Sequence, residues 1–600
     1  MKEGAAEVNG NKEAGSFRFS PRPNRADQIR WMSWGKAAFN RARDENKLVL
    51  LSISAVWCHW CHVMDETSYS DDEVISLVNR RYVPVRVDSD RNPDINRRYN
   101  RGGWPTTAFL SPGGDLLAGA TYIPPETMRK VLRRMAEIFE RQGGNIEMGH
   151  MDVPAYRRRE KEPAHELVED VGGLILQAWD REFGGLGTAP KFPQPESIDL
   201  ALDLFEDGGK SDYLDFARGT LDAMIQGNLL DKVEGGFFRY STTRDWSVPH
   251  YEKMLADNAL LIPTLLRAYA VTGSKAYLRT AAQTADYVGG TLSDGGGRFY
   301  GSQDADEKYY LLGEEGRRAL EPPAVDKTVY TDLASRAAGA FMEAGIVLGR
   351  EKYTSQAFSA LDYLWSECYR AGTGMAHYHD GNPHRWGLLY DQILASRAFI
   401  LAFGLSGENK YLSRAGELLR IVTDEYWDGG DGILYDMARM HAPAGLEPEP
   451  ADIYIRAETA ETMVYFEAAA GGGTWRETAG RILSGASEEI SSFGVLAAPL
   501  ARAVSLYLRG PLVIRINGGM DNADSDPLRT ALLSPLPRLL PLVSKALRDS
   551  KAGVEVCSTE ACYLHTTDMG ELARHLRTGD RQVSETSGRN YEGAANGDEA

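Results

Sequence analysis

The hydrophobic pattern of residues 25–142 alternates between helical and strand-like segments. Residues 34–47 place apolar side chains at helical spacing, and the continuous apolar and β-branched run at residues 48–54 is typical of a strand buried on both faces. A second buried run follows at residues 83–90, then two strands joined by a Pro-Gly-Gly turn, and a helix with proline near its start completes the unit. This order predicts an α/β domain over residues 25–142.

Residues 165–508 have a different pattern, in which long helical segments alternate with glycine-rich aromatic turns. The turns recur roughly every 50 to 80 residues, which leaves room for two helices each and predicts an internal repeat of helical hairpins. Such repeats stack either as an open solenoid or as a closed ring. We favour the closed ring, in which the glycine-aromatic loops gather at one mouth, because loops usually carry functional residues.

The remaining segments comprise one folded region and three polar ones. Residues 509–578 return to a pattern of short strands and helices. We predict a disordered arm at residues 1–24, a linker at residues 143–164 and a disordered tail at residues 579–600. The predicted fold is therefore multidomain, with an N-terminal α/β domain, an all-α ring of paired helices and a small C-terminal α/β segment.

Charge and composition restrict the classes of partner and the compartment. The 600 residues carry a formal net charge of −18, which disfavours nucleic acid and membrane surfaces as partners, because both select basic proteins. No uncharged apolar run reaches the ~18–20 residues that span a bilayer, and the N-terminus lacks the apolar segment of a secretory signal. Five cysteines do not suggest a disulfide framework, so we expect a cytoplasmic protein.

Cys58 and Cys61 follow the first buried strand at the point where a helix is predicted to begin. A helix N-terminus presents unpaired N–H groups and partial positive charge, which favour a thiolate at Cys58, and protonated His59 and His62 could add to that effect. Cys61 lies one turn further along and can attack a mixed disulfide formed at Cys58. The motif predicts a thiol–disulfide couple in which Cys58 attacks and Cys61 resolves.

Two other interpretations of this motif stay open. The two cysteines and two histidines could bind a metal ion, but adjacent Cys-His pairs do not converge easily on one ion, and no second distant C-x-x-C pair completes a zinc site. The motif could also be a purely structural remnant. Thiol–disulfide chemistry is the preferred interpretation, with no metal and no cofactor, and we expect Trp57 and Trp60 to provide packing and a substrate-facing surface.

Structural roles are the preferred interpretation for the other cysteines and for a group of histidines. Cys557 and Cys562 have a spacing that is unusual for redox couples and are predicted to be two buried thiols, although two close strands could pair them. Cys368 is predicted to lie in the core of a helical segment. The three histidines within residues 377–384 could bind a metal, but a solvated loop is the preferred interpretation.

Several segments of the chain resemble known families. The cysteine motif and the later segment GGWPT resemble a thioredoxin fold, which implies that the Trp104–Pro105 bond is cis and that its loop faces the cysteine pair. Longer segments closely resemble the spermatogenesis-associated protein 20 family over residues 25–575. In chain order these segments are CHWCHVM, GGWPTTAFLSPGG, GGLGTAPKFPQP, GGFFRYSTTRDWSVPHYEKMLADNALL and GSQDAD. The resemblance implies a thioredoxin-like domain joined to an (α/α)6 barrel similar to those of N-acylglucosamine 2-epimerases and six-hairpin glycosidases.

One segment of the barrel is predicted to begin a helix that carries polar candidates. Ser247 would be its N-cap, with Pro249 in the first turn. On such a helix His250 and Asp257 share one face, because they are seven residues apart, whereas Glu252 lies on another. Glu252 would lie near the positive end of the helix.

The resemblance to sugar epimerases makes His250 the candidate for exchanging a proton beside a carbonyl, with Arg239 and Tyr240 as its neighbours. Asp304 and Asp306 are predicted to lie on a loop, where they could act as general acid or base groups or could hold sugar hydroxyls. The alternative is that these side chains only tie loops together through caps and hydrogen bonds.

Three hypotheses for the function follow. The first is a thiol–disulfide oxidoreductase whose barrel recruits a protein thiol or disulfide partner. The second is a carbohydrate-active barrel that acts on a small sugar-like ligand and is regulated by the thioredoxin-like domain, and the third is a binding module without turnover. The expected catalytic residues are Cys58, Cys61, His250, Asp304 and Asp306. The expected substrate-binding residues are Trp57, His59, Trp60, Trp104, Pro105, Arg239, Tyr240, Glu252 and Asp257.

Overall fold

A four-stranded sheet forms the centre of the N-terminal domain in the computed structural model of the chain. The structure describes residues 20–142, 162–442, 446–484, 492–517, 526–534, 539–544, 553–558 and 561–577. Most of the predicted arm and of the predicted linker, and the whole predicted tail, lie outside the described residues.

The N-terminal domain has the predicted thioredoxin-like fold. Its elements are α1 (Lys36–Asp44), β1 (Leu48–Ser54), α2 (His59–Glu66), α3 (Asp72–Arg81), β2 (Tyr82–Asp88), α4 (Pro93–Tyr99), β3 (Thr106–Leu110), β4 (Leu116–Ala120) and α5 (Pro125–Arg141), with 3-10 turns at Ala26–Gln28 and Ser68–Ser70. The strand order is β2-β1-β3-β4, in which β1 is parallel to β2 and antiparallel to β3. Every residue of β1 is buried, as its continuous apolar run predicts.

The segment after the cysteine motif differs from the single helical pattern expected there. It forms two helices, because α2 ends at Glu66 and Asp71 caps a new helix, α3, by accepting hydrogen bonds from the main-chain N–H groups of Glu73 and Val74. The short helix α4 was not predicted. It starts at Pro93 and contributes to the contact with the second domain that is described below.

The second domain is a closed ring of helix pairs, so the predicted (α/α)6 barrel is confirmed. Its inner helices, among the described residues, are α7 (Pro195–Gly208), α9 (Leu255–Thr272), α13 (Thr331–Leu348), α15 (Leu389–Ser406), α17 (Ile453–Ala470) and α19 (Ala498–Arg509). Their outer partners are α8 (Ser211–Gln226), α10 (Lys275–Thr291), α14 (Glu351–Glu367), α16 (Asn409–Glu425), α18 (Trp475–Leu483) and, for α19, α6 (His165–Ala178). Inner helices such as α15 are buried on every side, whereas outer helices such as α16 bury one apolar stripe.

The ring closes where α19 packs against α7. Arg502 of α19 forms ion pairs with Asp199 and Asp203 of α7, at 3.5 and 3.0 Å, and Arg509 pairs with Asp207 at 2.5 Å. These contacts join helices that are far apart in the sequence. They convert a row of hairpins into a closed ring.

Short strands and two short helices surround the end of the ring at which inner helices such as α9 and α15 begin. They are β5 (Tyr240–Ser241), β6 (Pro249–His250), β7 (Lys253–Met254), β8 (Ser302–Gln303), α11 (Glu307–Tyr310), α12 (Glu314–Arg318), β9 (Val325–Asp326), β10 (Val329–Tyr330), β11 (Tyr369–Arg370), β12 (Gly374–His379), β13 (Pro383–Trp386), β14 (Trp427–Asp428) and β15 (Ile433–Leu434), with 3-10 turns at Arg439–His441 and Gly494–Ala497. We call this end the barrel mouth.

The predicted helix start at Ser247 is wrong. Residues 249–250 form strand β6, which pairs with β5, and α9 begins only at Leu255. Strand pairing commits this backbone to an extended conformation, so His250 and Asp257 do not share a helix face. Their relationship comes from the fold of the barrel mouth instead.

The C-terminal segment closes the opposite end of the barrel. It contains β16 (Leu512–Asn517), α20 (Pro527–Leu532), β17 (Leu539–Ser544), β18 (Gly553–Cys557) and β19 (Cys562–Thr566), with strand order β17-β16-β18-β19. Strand β17 packs against α15 so closely that a Cβ atom at Gly404 would lie 2.3 Å from the main-chain oxygen of Pro541. Among the described residues, every helix is too short or too polar to serve as a membrane span.

Candidate functional site

Cys58 and Cys61 form a disulfide at the N-terminus of α2. Strand β1 ends at Ser54, and Cys58 is the N-cap residue of the helix, with its Sγ accepting a hydrogen bond from the main-chain N–H of Cys61 at 3.2 Å. An N–H group aimed at this sulfur stabilises negative charge on it. The two residues are only 3% and 1% exposed, so the couple is covered.

Two tryptophans flank the disulfide inside the thioredoxin-like domain. The rings of Trp57 and Trp104 are 5.6 Å apart, and both pack in the small cluster that contains the two cysteines. The indole N–H of Trp57 donates a hydrogen bond to Oδ2 of Asp90 at 2.6 Å. The Trp104–Pro105 bond is cis, which confirms the implication of the thioredoxin resemblance.

The barrel mouth supplies the rest of the cover. Met254, at the end of β7, packs in the same cluster as the two cysteines. The guanidinium of Arg239 lies over the rings of Trp57 and Trp104, at 4.5 and 4.8 Å, and is 3.3 Å from the carboxylate of Glu252. The disulfide therefore lies at the interface between the two domains and faces the barrel mouth.

A histidine of α2 faces a carboxylate of the barrel beside the disulfide. Nε2 of His62 lies 2.8 Å from the main-chain oxygen of Val56 and donates to it, while Nδ1 lies 4.0 Å from Oδ2 of Asp304. Burial raises the pKa of Asp304 to about 6, although His62 acts in the opposite direction. This carboxyl group can hold or release a proton near neutral pH.

Other predicted residues of the barrel gather at the same mouth. The ring of His250 stacks on Tyr240 at 4.9 Å, and its Nδ1 is 3.3 Å from Oε1 of Glu252. Asp257 lies in the first turn of α9, where burial raises its pKa to about 7 despite the neighbouring Arg239. The structure therefore brings these groups together around Arg239 and Glu252.

Asp306, Trp60 and His59 have local contacts that account for their positions. Asp306 caps the short helix α11 by accepting a hydrogen bond from the N–H of Tyr309 at 3.1 Å. Trp60 is 47% exposed and packs against Tyr122 and His59, on the outer part of α2. The capping hydrogen bond agrees with the alternative that Asp306 only ties its loop together.

Sequence reasoning missed the residues that dock one domain on the other. Arg385 of β13 pairs with the buried carboxylate of Asp94 in α4, and Arg97 of α4 pairs with Asp436 of the barrel at 3.0 Å. Burial raises the pKa of Asp436 to about 6, although Arg97 opposes this. The alternating acidic and basic residues of DSDRNPDINRR, directly after a buried strand, are the signal that could have indicated a contact surface.

His377 is buried, so the preferred solvated loop is wrong at this position. It lies on strand β12, with Nδ1 3.0 Å from Oδ1 of Asp391 and Nε2 2.7 Å from the main-chain oxygen of Asp90. The ligand-type atoms of His377, Asp391 and Asp332 lie within 4.8 Å of one another. Both ring nitrogens of His377 already have oxygen partners, so the geometry fits an ion pair with Asp391 inside the barrel and a hydrogen bond to Asp90 that links the two domains.

A cavity of about 260 Å³ lies on the axis of the barrel. Its wall includes Asp199, Ser335, Glu343 and Arg397 from inner helices and Leu540 from β17. Among the described residues, Asp199 Oδ1, Ser335 Oγ and Arg397 Nη1 are buried atoms without a hydrogen-bond partner. Burial raises the pKa of Glu343 to about 7, although Arg397 opposes this.

The cysteines outside the motif are of two kinds. Cys557 and Cys562 form a disulfide between β18 and β19, so the prediction of two buried thiols is wrong, because the strand register places them opposite one another. Cys562 lies at an exposed position. Cys368 is a buried free thiol in the barrel core, as predicted.

Comparisons with known proteins support the two-part organisation. Residues 21–154 match the family described as "Thioredox_DsbH: Protein of unknown function, DUF255". Spermatogenesis-associated protein 20 of Mus musculus is 25% identical over 91% of this chain and 89% of its own length, and that of Homo sapiens is 24% identical over 91% and 90%. The predicted resemblance to this family is therefore confirmed along nearly the whole chain.

The barrel also resembles solved structures. A sugar epimerase from a ruminal bacterium aligns with 58% of this chain and 97% of its own chain, with 16% identity and a TM-score of 0.47. A D-mannose isomerase aligns with 57% of this chain and 96% of its own, with 12% identity and a TM-score of 0.45.

Proposed function

We propose that this protein is a thiol–disulfide redox enzyme whose active couple is Cys58–Cys61. The observation that carries the proposal is the position of the disulfide at the N-terminus of α2, where Cys58 Sγ accepts the N–H of Cys61. This position stabilises a thiolate at Cys58 and holds Cys61 within bonding distance of it. A packed turn would need neither property.

The exchange proceeds in two displacement steps. The Cys58 thiolate attacks one sulfur of a substrate disulfide, forms a mixed disulfide and releases the other sulfur as a thiolate. Cys61, after losing its proton, attacks Sγ of Cys58 and releases the second substrate thiolate. The enzyme loses two electrons to the substrate, and the two cysteine protons are transferred to the two released thiolates.

His62 and Asp304 are the groups that we assign to proton handling in this exchange. They face each other at 4.0 Å, His62 directly follows Cys61 in the chain, and Asp304 has a pKa of about 6 because it is buried. A carboxyl group that titrates near neutral pH can accept the proton of a thiol and return it to a leaving thiolate. This pair combines one side chain from each domain.

The test is the redox equilibrium of the couple in glutathione buffers of graded potential, measured by thiol trapping and mass spectrometry. We expect a single reversible two-electron transition for Cys58 and Cys61. Cys58→Ser should abolish it, and Cys368→Ser should leave it unchanged, because Cys368 is a buried lone thiol. Absence of a disulfide across all buffers would rule out the proposal.

A second candidate function is binding of a small hydroxyl-bearing molecule inside the barrel. The observation that favours it is the axial cavity, whose wall includes the polar side chains of Asp199, Ser335 and Arg397. Hydroxyl groups both donate and accept, so a neutral sugar-like molecule suits a wall that carries carboxylate, hydroxyl and guanidinium groups.

This second candidate is tested by the melting temperature of the protein in a series of neutral hexoses. A ligand that binds the folded state raises the melting temperature in a saturable way. We expect at least one hexose to do so, and Ser335→Val to abolish the shift by removing the hydroxyl. If no hexose changes the melting temperature, the candidate is wrong.

A further inference from the structure

We infer that the Cys58–Cys61 couple exchanges electrons with a low-molecular-mass disulfide or thiol that enters at the barrel mouth, and not with a folded protein. The inference rests on the proposed redox function and specifies the substrate class of that same site. It reverses the expectation that the barrel recruits a protein partner.

The first step of the argument is the cover over the two sulfur atoms. Cys58 and Cys61 are 3% and 1% exposed, and a barrel residue, Met254, packs in their cluster. A protein substrate has to place an extended segment of backbone beside the attacked sulfur, and access to that sulfur limits the rate of exchange. In this structure the barrel mouth lies where such a segment of backbone would have to bind.

The second step is the stack of side chains at the edge of this cover. Arg239 lies between the rings of Trp57 and Trp104 and the carboxylate of Glu252, so two domains contribute to one layered arrangement. Rearranging a single exposed side chain does not clear a path of protein width. A small molecule needs only local movement of this layer.

The third step is the attachment of the domains to each other. The carboxylate of Asp94 is 2% exposed and pairs with Arg385, while that of Asp436 is 5% exposed and pairs with Arg97. Separating the domains would leave both carboxylates without their cationic partners. The docked arrangement therefore resists the opening that a protein substrate requires.

The fourth step concerns the charge of the small substrate. Asp90 accepts from Trp57, Asp304 faces His62 and Glu252 pairs with Arg239, so three carboxylates contact residues that adjoin the couple, whereas Arg239 is the guanidinium that stacks on Trp57. The chain as a whole has a net charge of −18. A neutral or cationic disulfide is therefore favoured over an anionic one.

The chemical balance requires one further thiol. Each turnover converts one small disulfide into two small thiols and leaves Cys58 and Cys61 joined as a disulfide. Two molecules of a second small thiol then reduce the enzyme and become a disulfide themselves. The net reaction is thiol–disulfide exchange between two low-molecular-mass compounds.

The experiment is a single-turnover oxidation of the pre-reduced full-length chain. The probes are bis(2-hydroxyethyl) disulfide, cystamine, oxidised glutathione and, as a protein disulfide, insulin. Loss of the two thiols is followed by acid quenching, alkylation and mass spectrometry, and Cys58→Ser gives the background. We expect oxidation by the neutral and cationic small disulfides, with insulin slower by about a hundredfold or more because exchange depends on access to the sulfur.

A paired variant tests whether docking is the cause of this selectivity. Arg97→Ala combined with Arg385→Ala should raise the rate with insulin by about tenfold or more, because loosened docking opens access to the sulfur. The rate with bis(2-hydroxyethyl) disulfide should stay the same. Arg318→Ala is the control. Arg318 pairs with Glu314 on the surface, and their side chains are 74% and 70% exposed.

The folding of the paired variant is checked by its circular dichroism spectrum. If it does not fold, alkylation of Cys58 and Cys61 in the wild type, located by mass spectrometry of the peptides, replaces it: iodoacetamide should modify these two cysteines, and a maleimide with a long polyethylene glycol chain should not. Oxidation of the wild type by insulin at the rate of the small disulfides would overturn the inference and leave the redox function intact. Failure of every disulfide, together with no transition in glutathione buffers, would instead remove the proposed function itself.

Discussion

The imidazole of His377 in the barrel donates from Nε2 to the main-chain oxygen of Asp90 in the thioredoxin-like domain, at 2.7 Å. Its Nδ1 lies 3.0 Å from a carboxylate oxygen of Asp391. Both partners are oxygens, which fits an imidazolium ring that donates from both nitrogens. Asp90 in turn accepts the indole N–H of Trp57, the residue before Cys58. A buried charge of the barrel is therefore connected to the redox motif.

This ion pair predicts that stability depends on pH. Burial alone would lower the pKa of His377, but the Asp391 carboxylate outweighs it and raises the pKa to about 9, from 6.5. A raised histidine pKa stabilises the fold fully below pH 6.5, and that stabilisation is lost as pH rises to 9. The shift corresponds to about 3 kcal/mol. We expect the free energy of unfolding, measured in urea, to fall over this window.

The matched variants separate this effect from general alkaline loss of stability. His377→Gln should remove the fall between pH 6.5 and 9. His384→Gln should keep it, because His384 lies at the partly exposed end of the same hairpin and pairs with Asp380. An unchanged pH profile in His377→Gln would show that the ring is neutral in the folded protein.

The docking ion pair makes a second prediction. Arg385→Ala leaves the carboxylate of Asp94, which is 2% exposed, without its partner, and should lower the free energy of unfolding by ~3–5 kcal/mol. Arg318→Ala, in an exposed pair on one helix, should cost only ~0.3–0.5 kcal/mol. Urea unfolding of both variants measures the difference, and equal losses would contradict the buried role of Arg385.

The two cysteines of the motif should differ in reactivity. With excess cystamine, Cys61→Ser should accumulate one mixed disulfide at Cys58, because nothing resolves it. Cys58→Ser should react at least about tenfold more slowly, since Cys61 is not the N-cap residue whose sulfur accepts a main-chain N–H. Intact-mass spectrometry over time measures both rates. Faster labelling of Cys61 would reverse the assigned roles.

Two glycines of the inner helices should respond in opposite directions to the same substitution. A Cβ at Gly404 would lie 2.3 Å from the main-chain oxygen of Pro541, so Gly404→Ala should destabilise the protein by ~1–3 kcal/mol. At Gly339 the nearest atom is 3.9 Å away, so Gly339→Ala should be neutral or stabilising by up to ~1 kcal/mol, the difference in helix propensity. Thermal unfolding of both variants tests the closeness of β17.

Local patterns were sufficient to predict most of the fold. The apolar run of β1 and the start of α2 at the cysteine motif follow from short-range rules, and the repeat of helical hairpins predicted the ring. The helix expected from Ser247 failed because pairing between Tyr240 and His250 is a contact that helix signals do not contain. Tertiary contact thus outweighed a plausible capping sequence.

The residue types of the candidate site could be predicted from the sequence, but their proximity to one another could not. Nothing in the spacing of Cys58, Arg239 and Asp304 indicates that they meet, because their proximity depends on docking between two domains. The same holds for Asp94 and Arg385, nearly three hundred residues apart, whose pairing no local rule predicts. Cys557 and Cys562 are close in the sequence, yet their pairing depends on the register of β18 and β19, which their spacing alone does not predict.

The closure of the ring also sets an order of events during synthesis. Helix α7 is complete nearly three hundred residues before α19, which at ordinary rates of translation is a delay of about 15–60 s. During that delay Arg267 of α9 already pairs with Asp203, while Asp199 and Asp207 are not yet covered by Arg502 and Arg509 of α19. The edge that α19 later covers therefore carries negative charge during synthesis, and repulsion between like charges disfavours contact between two incomplete chains at that edge.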